Sequence, residues 1–398
     1  MFGGPKIRRR DFVIARVFQM PIEIKLKEVS VGYAQTSAQK GENASIIVRE
    51  FTSSEDGDLF INRLEGIPSE ILAAIPDRTI KPSSIDRFLA VIQRDQHATV
   101  YFNDELKLLV SSTIKGKDFQ AGDAVFLDNI ADIQALTFLD ISIPDDAGIV
   151  FVFSRGWRKG FFFDLVPLIP PEFTPRNYNL PKLLGQYFAY LVFQHLFKIT
   201  ESDWSVMLDQ KWFPFISLKN QMVKEIIAYA RNEWNIDDLT ERVAEDLKVQ
   251  LPSIVRKWPR NTLFESHIPL FEQAVNRYLA GDYISASAIL YPRIEGLMRS
   301  YVNFHQPSVK PSSKNLVTSV IDANVTNRHD YSALLPNNFS RYLTDVYFAN
   351  FDPKNPEILS RHSVAHGVAP ANDFSLKAAT IGLLLLDQLS FYLRPRES

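Results

Sequence analysis

Along the first 170 positions, apolar residues come in short runs rich in β-branched and aromatic side chains, separated by turn formers, which is the pattern of strands. The runs Phe12 to Val17, Ala44 to Val48, Ala98 to Phe102, Leu106 to Val110, Ala135 to Ile143 and Ile149 to Phe153 predict strands. Ser53 to Asp58 and Lys115 to Lys117 predict connections, and two short helices are expected near Ser69 to Ile75 and Ser83 to Arg94. Pro167, Pro170, Pro171 and Pro175 then end the strand texture. Proline lacks the ladder N–H and restricts the residue before it.

Beyond the prolines the period lengthens. Leu180 to Phe197 is apolar nearly all round and predicts a buried helix. A second helix is expected over Leu218 to Glu233 and a third over Ile236 to Lys257, where Leu239, Val243, Leu247 and Leu251 are spaced by four. Pro252 is expected to kink or end that third helix. From residue 262 the pattern is helical throughout: Ile268 to Leu279 with Gly281 as its stop, Tyr283 to Val302 interrupted by Pro292, then Asn315 to Asp322, Phe339 to Phe351, Pro356 to His366 and Ser375 to Leu393. The expected fold class is α+β multidomain: a strand-rich region at 1–170, a helical middle segment at 171–260, and an all-α bundle of four long and two short helices at 261–398.

Composition narrows the function classes. With 46% hydrophobic residues against 23% charged, the chain can bury cores and is expected to be a soluble globular protein. The formal charge of −2 provides no global attraction for a polyanion, so any such site must be local. There is no cysteine, which removes disulfides, thiolate metal sites and cysteine nucleophiles and suggests a cytoplasmic setting. Asp11 and Arg16 interrupt the N-terminal apolar stretch, so no signal peptide is expected, and the run Ala378 to Leu386 is too short to span a membrane.

The common catalytic fingerprints are missing: no G-x-G occurs, Gly116-Lys117 is followed by Asp118 rather than Ser or Thr, and there is no G-x-S-x-G elbow. The acidic cluster Glu55, Asp56 and Asp58 suits a solvated turn. Five of the seven histidines, His267, His305, His329, His362 and His366, fall in the last third. Two of them lie in Arg361-His362-Ser363-Val364-Ala365-His366-Gly367, on a short helix expected to start near Pro356 and stop at Gly367. His362 and His366 share a helix face as zinc ligands would, but Ser363 stands where an H-E-x-x-H enzyme has its glutamate, and no third ligand is signalled. A second reading is that the basic side chains cap the helix C-terminus, worth about 0.3 to 1 kcal/mol.

A third reading comes from Arg361 followed by four residues and then His366. This resembles the R-x4-6-H signature of the HEPN superfamily, helical domains that include many metal-independent RNA endonucleases. His362 occupies the polar slot after the arginine, where asparagine is commonest in the family. The segment Leu290 to Arg299 also resembles the second helix of some bacterial HEPN proteins, with Glu295 matching the acidic residue that supports the motif arginine. The resemblance covers about residues 262–398, and residues 1–260 match no signature. It implies an endoribonuclease with Arg361, His366, His362 and Glu295 as catalytic residues and Arg293 and Arg299 along an RNA track. It further implies no cofactor and no metal, RNA such as transfer RNA as substrate, a homodimer through the C-terminal domain, and a role in anti-phage defence (abortive infection) or a toxin-like system. A phage-derived trigger or regulatory partner would then act on the N-terminal region, with no membrane involved. The alternatives are a non-catalytic HEPN module for dimerisation or for binding nucleotide or RNA, and an adaptor that works through its strand-rich region with the helical end only as a dimeriser.

The chemistry is consistent with those residue types. RNA carries its own nucleophile, the 2′-hydroxyl, so cleavage needs a base, an acid and a cation. Histidine, with an unperturbed pKa of about 6.5, can serve in either proton role, and an arginine fork can hold phosphate oxygens. Residues five apart on a helix point about 140° apart, so one Arg361 and its own His366 diverge, and two facing copies would be needed. Glu295 could instead pair with Arg299 one turn on, and Arg293 and Arg299 could be solvated helix charges. Lys6 to Arg10 and Arg155 to Gly160, the latter with Trp157 as a stacking platform, could make a nucleic-acid patch or, for the second, a charged hairpin tip between Ile149 to Phe153 and Phe161 to Leu165.

Overall fold

A computed structural model describes residues 21–76, 85–325, 331–350 and 360–393. The architecture is mixed α/β, an N-terminal strand sheet followed by a helical region. The chain gathers into two compact units, one holding the chain up to Leu109 together with Leu136–Pro181, the other Val110–Ala135 together with the chain from Lys182 onward. The expected strand runs at Phe12 to Val17 and the basic stretch Lys6 to Arg10 lie outside the described residues.

The elements of the N-terminal half are β1 (Ile22–Lys25), β2 (Tyr33–Ala34), β3 (Ile46–Ile47), β4 (Arg49–Ser53), α1 (Asp58–Glu65), α2 (Ile67–Ala73), β5 (Phe88–Ile92), β6 (His97–Phe102), β7 (Leu108–Ile114), β8 (Ile130–Phe138), β9 (Gly148–Arg155) and β10 (Arg158–Asp164). Among the described residues six strands form one sheet in the order β1-β6-β5-β9-β10-β4, every pairing antiparallel. The other strands make two separate ribbons, β2 with β3 and β7 with β8. One face of the sheet packs Phe88, Ala90, Val152, Phe161 and Phe163 against Phe60 and Leu64 of α1 and Ile71 and Leu72 of α2. The opposite face, with Leu89, Phe151, Phe153 and Phe162, is buried as well, and the rings of Phe151 and Phe153 stack at 4.7 Å.

Burial on both faces explains one correction. The run Phe88–Ile92 is a central strand, not part of a helix over Ser83 to Arg94, because a strand buried on both sides loses the alternation that would distinguish it from a helix. A second correction concerns Ser53 to Asp58, which leads into a helix. The Asp56 carboxylate accepts the Ser53 backbone N–H at 2.6 Å and closes a capping box on the turn Ser54–Asp56 that feeds α1.

The helical elements are α3 (Leu180–Phe197), α4 (Glu201–Asp209), α5 (Asn220–Arg231), α6 (Thr240–Lys257), α7 (Ile268–Leu279), α8 (Tyr283–His305), α9 (Ser313–Val325), α10 (Pro336–Tyr342), a π-helical turn Leu343–Tyr347, α11 (Arg361–Ala365) and α12 (Leu376–Tyr392). α4 was not expected, and the single helix expected over Phe339 to Phe351 is α10 followed by the π turn. Pro252 neither ends nor splits α6, and α8 runs straight through Pro292. A helix-interior proline costs about 3 kcal/mol. Burial of Leu251 and Ile254 in the first case, and of Leu290, Tyr291 and Ile294 in the second, offsets it. Residues of the expected middle and C-terminal segments share one core, in which Phe213 meets Phe339 and Tyr342, each at 5.4 Å between ring centroids. α12 is buried along nearly its whole length, so it builds that core and presents no open apolar face for a second copy. Among the described residues, no helix is long and apolar enough to cross a membrane.

A polar network ties α12 to the segment before α5. Asp387 accepts from the Ser217 hydroxyl at 2.5 Å, Gln388 from the Ile216 backbone at 2.7 Å, and the Lys115 ammonium donates to the carbonyls of Ile216 and Leu218 at 2.6 and 3.0 Å. Burial, opposed in part by Asp128 and Asp387, pushes the Lys115 ammonium down to about 8. The unfolded chain still binds this proton up to the ordinary value near 10.4, so between those limits the unfolded state holds more protons and stability rises with pH. Below pH 8 both states are protonated and the cost is constant. Between pH 8 and 9.5 the wild type is therefore expected to gain about 1–2 kcal/mol relative to Lys115→Met, as read from urea midpoints. A flat difference over that range would rule out the buried titration.

Candidate functional site

The residues singled out in the sequence come from two elements. α8 carries Arg293, Glu295 and Arg299, and α11 carries Arg361 and His362 with His366 as its C-cap. α11 does not begin near Pro356, which lies outside the described residues. It starts at Arg361, capped by Ser360, whose hydroxyl accepts the Ser363 N–H while the Ser363 hydroxyl accepts the Ser360 N–H at 2.9 Å. Gly367, at φ 69°, ends it, and the Val368 N–H returns to the Ser363 carbonyl at 3.0 Å. A left-handed residue there favours glycine. Cap and stop together hold the helix to five residues, with Arg361 in its first turn and His366 just past its last.

Glu295 is 3% exposed and joins both elements. One carboxylate oxygen accepts from Arg299 Nε and Nη2 at 2.7 and 2.6 Å, and the other meets Arg361 Nε. Glu295 thus pairs with Arg299 along its own helix and meets Arg361 from across. The Arg361 Nη1 also reaches His362 Nδ1 at 3.1 Å. A guanidinium only donates, so Nδ1 accepts and the neutral ring carries its proton on Nε2. Burial first, then the charges of Arg361 and His366, hold the His362 pKa below the usual imidazole range. Burial also lowers Arg361 from its ordinary value. Phe348, 6.1 Å away between ring centroids, backs the His362 ring.

The structure thus brings together Glu295, Arg299, Arg361 and His362. His366 is exposed at the helix end. Arg293 is exposed too, two residues and so about 160° around α8 from Glu295. Its charge acts on His267, which is buried, hydrogen-bonded to Ser300 at 3.0 Å and shifted down chiefly by burial. Arg293 and Arg299 accordingly do not lie on one face. Sequence reasoning missed Ser360, Ser363 and Phe348. A serine pair three apart is a capping signal that was present in the sequence, whereas the ring behind His362 comes from another element, the C-cap of the π turn.

In the first unit, Trp157 is 73% exposed at the tip of the β9–β10 hairpin, with the Arg158 guanidinium over its ring at 4.9 Å. The basic segment Arg155 to Gly160 is therefore the hairpin tip. Among the described residues no three His, Asp or Glu side chains converge as a metal site would require. Comparison with known proteins provides no further orientation: no protein-family description, no curated protein and no solved structure matches the chain.

Proposed function

We propose that the chain is a metal-independent endoribonuclease of HEPN type, acting in anti-phage defence or a toxin-like system, with its site built on Arg361 and His366 and completed by a second copy. The observation that carries this reading is the anchoring of Arg361 by buried Glu295 across two helices, with His366 exposed at the far end of the same short helix. A fixed guanidinium is what a phosphorane charge needs, because its orientation is set before the substrate arrives. His362 spends its Nδ1 lone pair on Arg361, so its part is to orient that arginine. His366 is assigned the proton transfer: in one copy it takes the 2′-hydroxyl proton as the 2′-oxygen attacks phosphorus, and in the other it protonates the departing 5′-oxygen. The products are a 2′,3′-cyclic phosphate and a 5′-hydroxyl.

The test is cleavage of end-labelled RNA, transfer RNA included, by the full chain in the presence of EDTA. Expected are fragments ending in cyclic phosphate, at a rate that depends on dimer concentration. Cleavage abolished by EDTA, or products with 3′-hydroxyl ends, would overturn the reading. A second reading, a non-catalytic module for dimerisation or for nucleotide or RNA binding, is favoured by one feature: Glu295 is shared between Arg299 and Arg361, so the motif arginine is part of a structural network. RNA binding without cleavage by the confirmed dimer would select it.

A further inference from the structure

A cavity of about 160 Å³ opens beside the N-terminal end of α12, lined by residues from α8, α10, the π turn and the segment after α4. Its lining mixes polar and apolar groups, with Tyr291, Tyr342, Tyr347, Ile381 and Leu385 supplying the apolar part. The tyrosine hydroxyls are already committed, Tyr347 to the Tyr291 carbonyl at 2.5 Å, Tyr342 to the Lys211 carbonyl at 3.1 Å and Tyr291 to the Ala378 carbonyl at 3.4 Å. A ligand body rich in hydroxyls or phosphate would find no free donor among them.

Charged side chains line the cavity too. Of its two ammonium groups, Lys377 is held by Asp237 at 2.5 Å and by the Gln210 carbonyl at 2.8 Å. Lys211 has no carboxylate partner among the described residues, and Asp373 lies close enough to act on it electrostatically without forming an ion pair. The Asp373 Oδ2 is buried and has no hydrogen-bond donor among the described residues. Two opposite charges thus face one cavity without meeting, and a buried acceptor is left open, an arrangement costly unless something fills it. Lys211 also occupies a left-handed backbone position, φ 60°, at the end of α4, with the Trp212 N–H returning to the Met207 carbonyl at 2.7 Å. Glycine or asparagine suits that position better.

The geometry points to a site for a small zwitterion with an apolar body, an α-amino acid of leucine or phenylalanine size. Its ammonium would donate to Asp373 Oδ2, its carboxylate would accept from Lys211, and its side chain would lie against the tyrosines, Ile381 and Leu385. Full charges then meet full charges, which makes the strongest hydrogen bonds available. At roughly 30 Å³ per water in the liquid, the cavity of about 160 Å³ displaces on the order of five waters, room for an aliphatic or aromatic side chain with its charged groups at Lys211 and Asp373. The site uses no residue of the Arg361–His366 motif, so it stands or falls independently of RNA cleavage.

Calorimetry and thermal shift on the full chain test it with L-leucine and L-phenylalanine, and with 3-phenylpropionate and 2-phenylethylamine, each of which lacks one of the two charges. The expected result is binding of at least one amino acid, with each singly charged analogue weaker by about tenfold or more. In Asp373→Asn the ammonium should cease to matter, and in Lys211→Met the carboxylate. No binding of either amino acid at millimolar concentration, or equal binding of the singly charged analogues, would overturn the proposal. So would tighter binding of adenosine or guanosine that depends on Lys211 and Asp373, which would assign the cavity to a base. The analogue series needs only the wild-type chain, so a variant that fails to fold does not remove the test.

Discussion

Replacing His366 with alanine is expected to slow RNA cleavage by about 10²–10⁴-fold, the usual contribution of a positioned general acid or base. Stability should hardly change. The side chain is exposed, and what holds this end of α11 is backbone: the His366 N–H bonds the His362 carbonyl at 3.0 Å, and Gly367 and Val368 close the turn. Alanine keeps all of these. The measurement is a single-turnover cleavage rate in EDTA alongside a thermal melt of the same preparation. A rate within about threefold of wild type, far below that range, would remove His366 from the proton-transfer step. A large fall in melting temperature would instead mark it as structural. His362→Gln makes a useful companion, since an amide oxygen can still accept from Arg361. The assigned orienting role predicts that it retains more activity than His362→Leu.

Replacing Glu295 with alanine is expected to cost about 2–4 kcal/mol of stability and to abolish cleavage together. Removing one partner of a buried ion pair typically costs about 3–5 kcal/mol because a charge is left without its counterion. Here the arginine side chains retain some access to water, 22% for Arg361 and 41% for Arg299, so part of that penalty is relieved by rehydration. Arg361 would lose the carboxylate that fixes it, and a guanidinium that must be ordered during the reaction stabilises the transition state less. Urea unfolding gives the first quantity and cleavage in EDTA the second. Arg299→Met separates the two roles: it removes the same-helix pair, worth a few tenths of a kcal/mol, and should leave cleavage nearly intact. A Glu295→Ala chain that cuts RNA normally would show that Arg361 needs no anchor.

How much of this was legible in the sequence depended on whether one element's own pattern contained the answer. Ile268 to Leu279 is apolar on one face, ends before a glycine and is a helix within those bounds. Phe88–Ile92 is apolar at every position, which suits a central strand and a buried helix equally, and the neighbours that settle it, β6 and β9, come from later in the chain. Pro252 and Pro292 carry a local signal to stop that the surrounding burial overrides. At the site, the spacing of Arg361 and His366 on a short helix could be read directly. The pairing of Glu295 with Arg299 could be read from their spacing of four, and its pairing with Arg361 only through the family resemblance; that one carboxylate serves both at once could not be read, since Arg361 lies on another helix.

By itself the sequence determined the mixed fold class, the change from strands to helices at the proline cluster, and the local stops at Gly281 and Gly367, because these follow from backbone restrictions and periodicity within a few residues. Only the tertiary structure decided which charges share a carboxylate, that His362 gives its lone pair to Arg361, and that Lys211 and Asp373, from segments about 160 residues apart in the chain, face one cavity. Those are contacts between segments that the chain brings together only by burying its apolar faces, and burial is set by the whole core rather than by any one stretch of it.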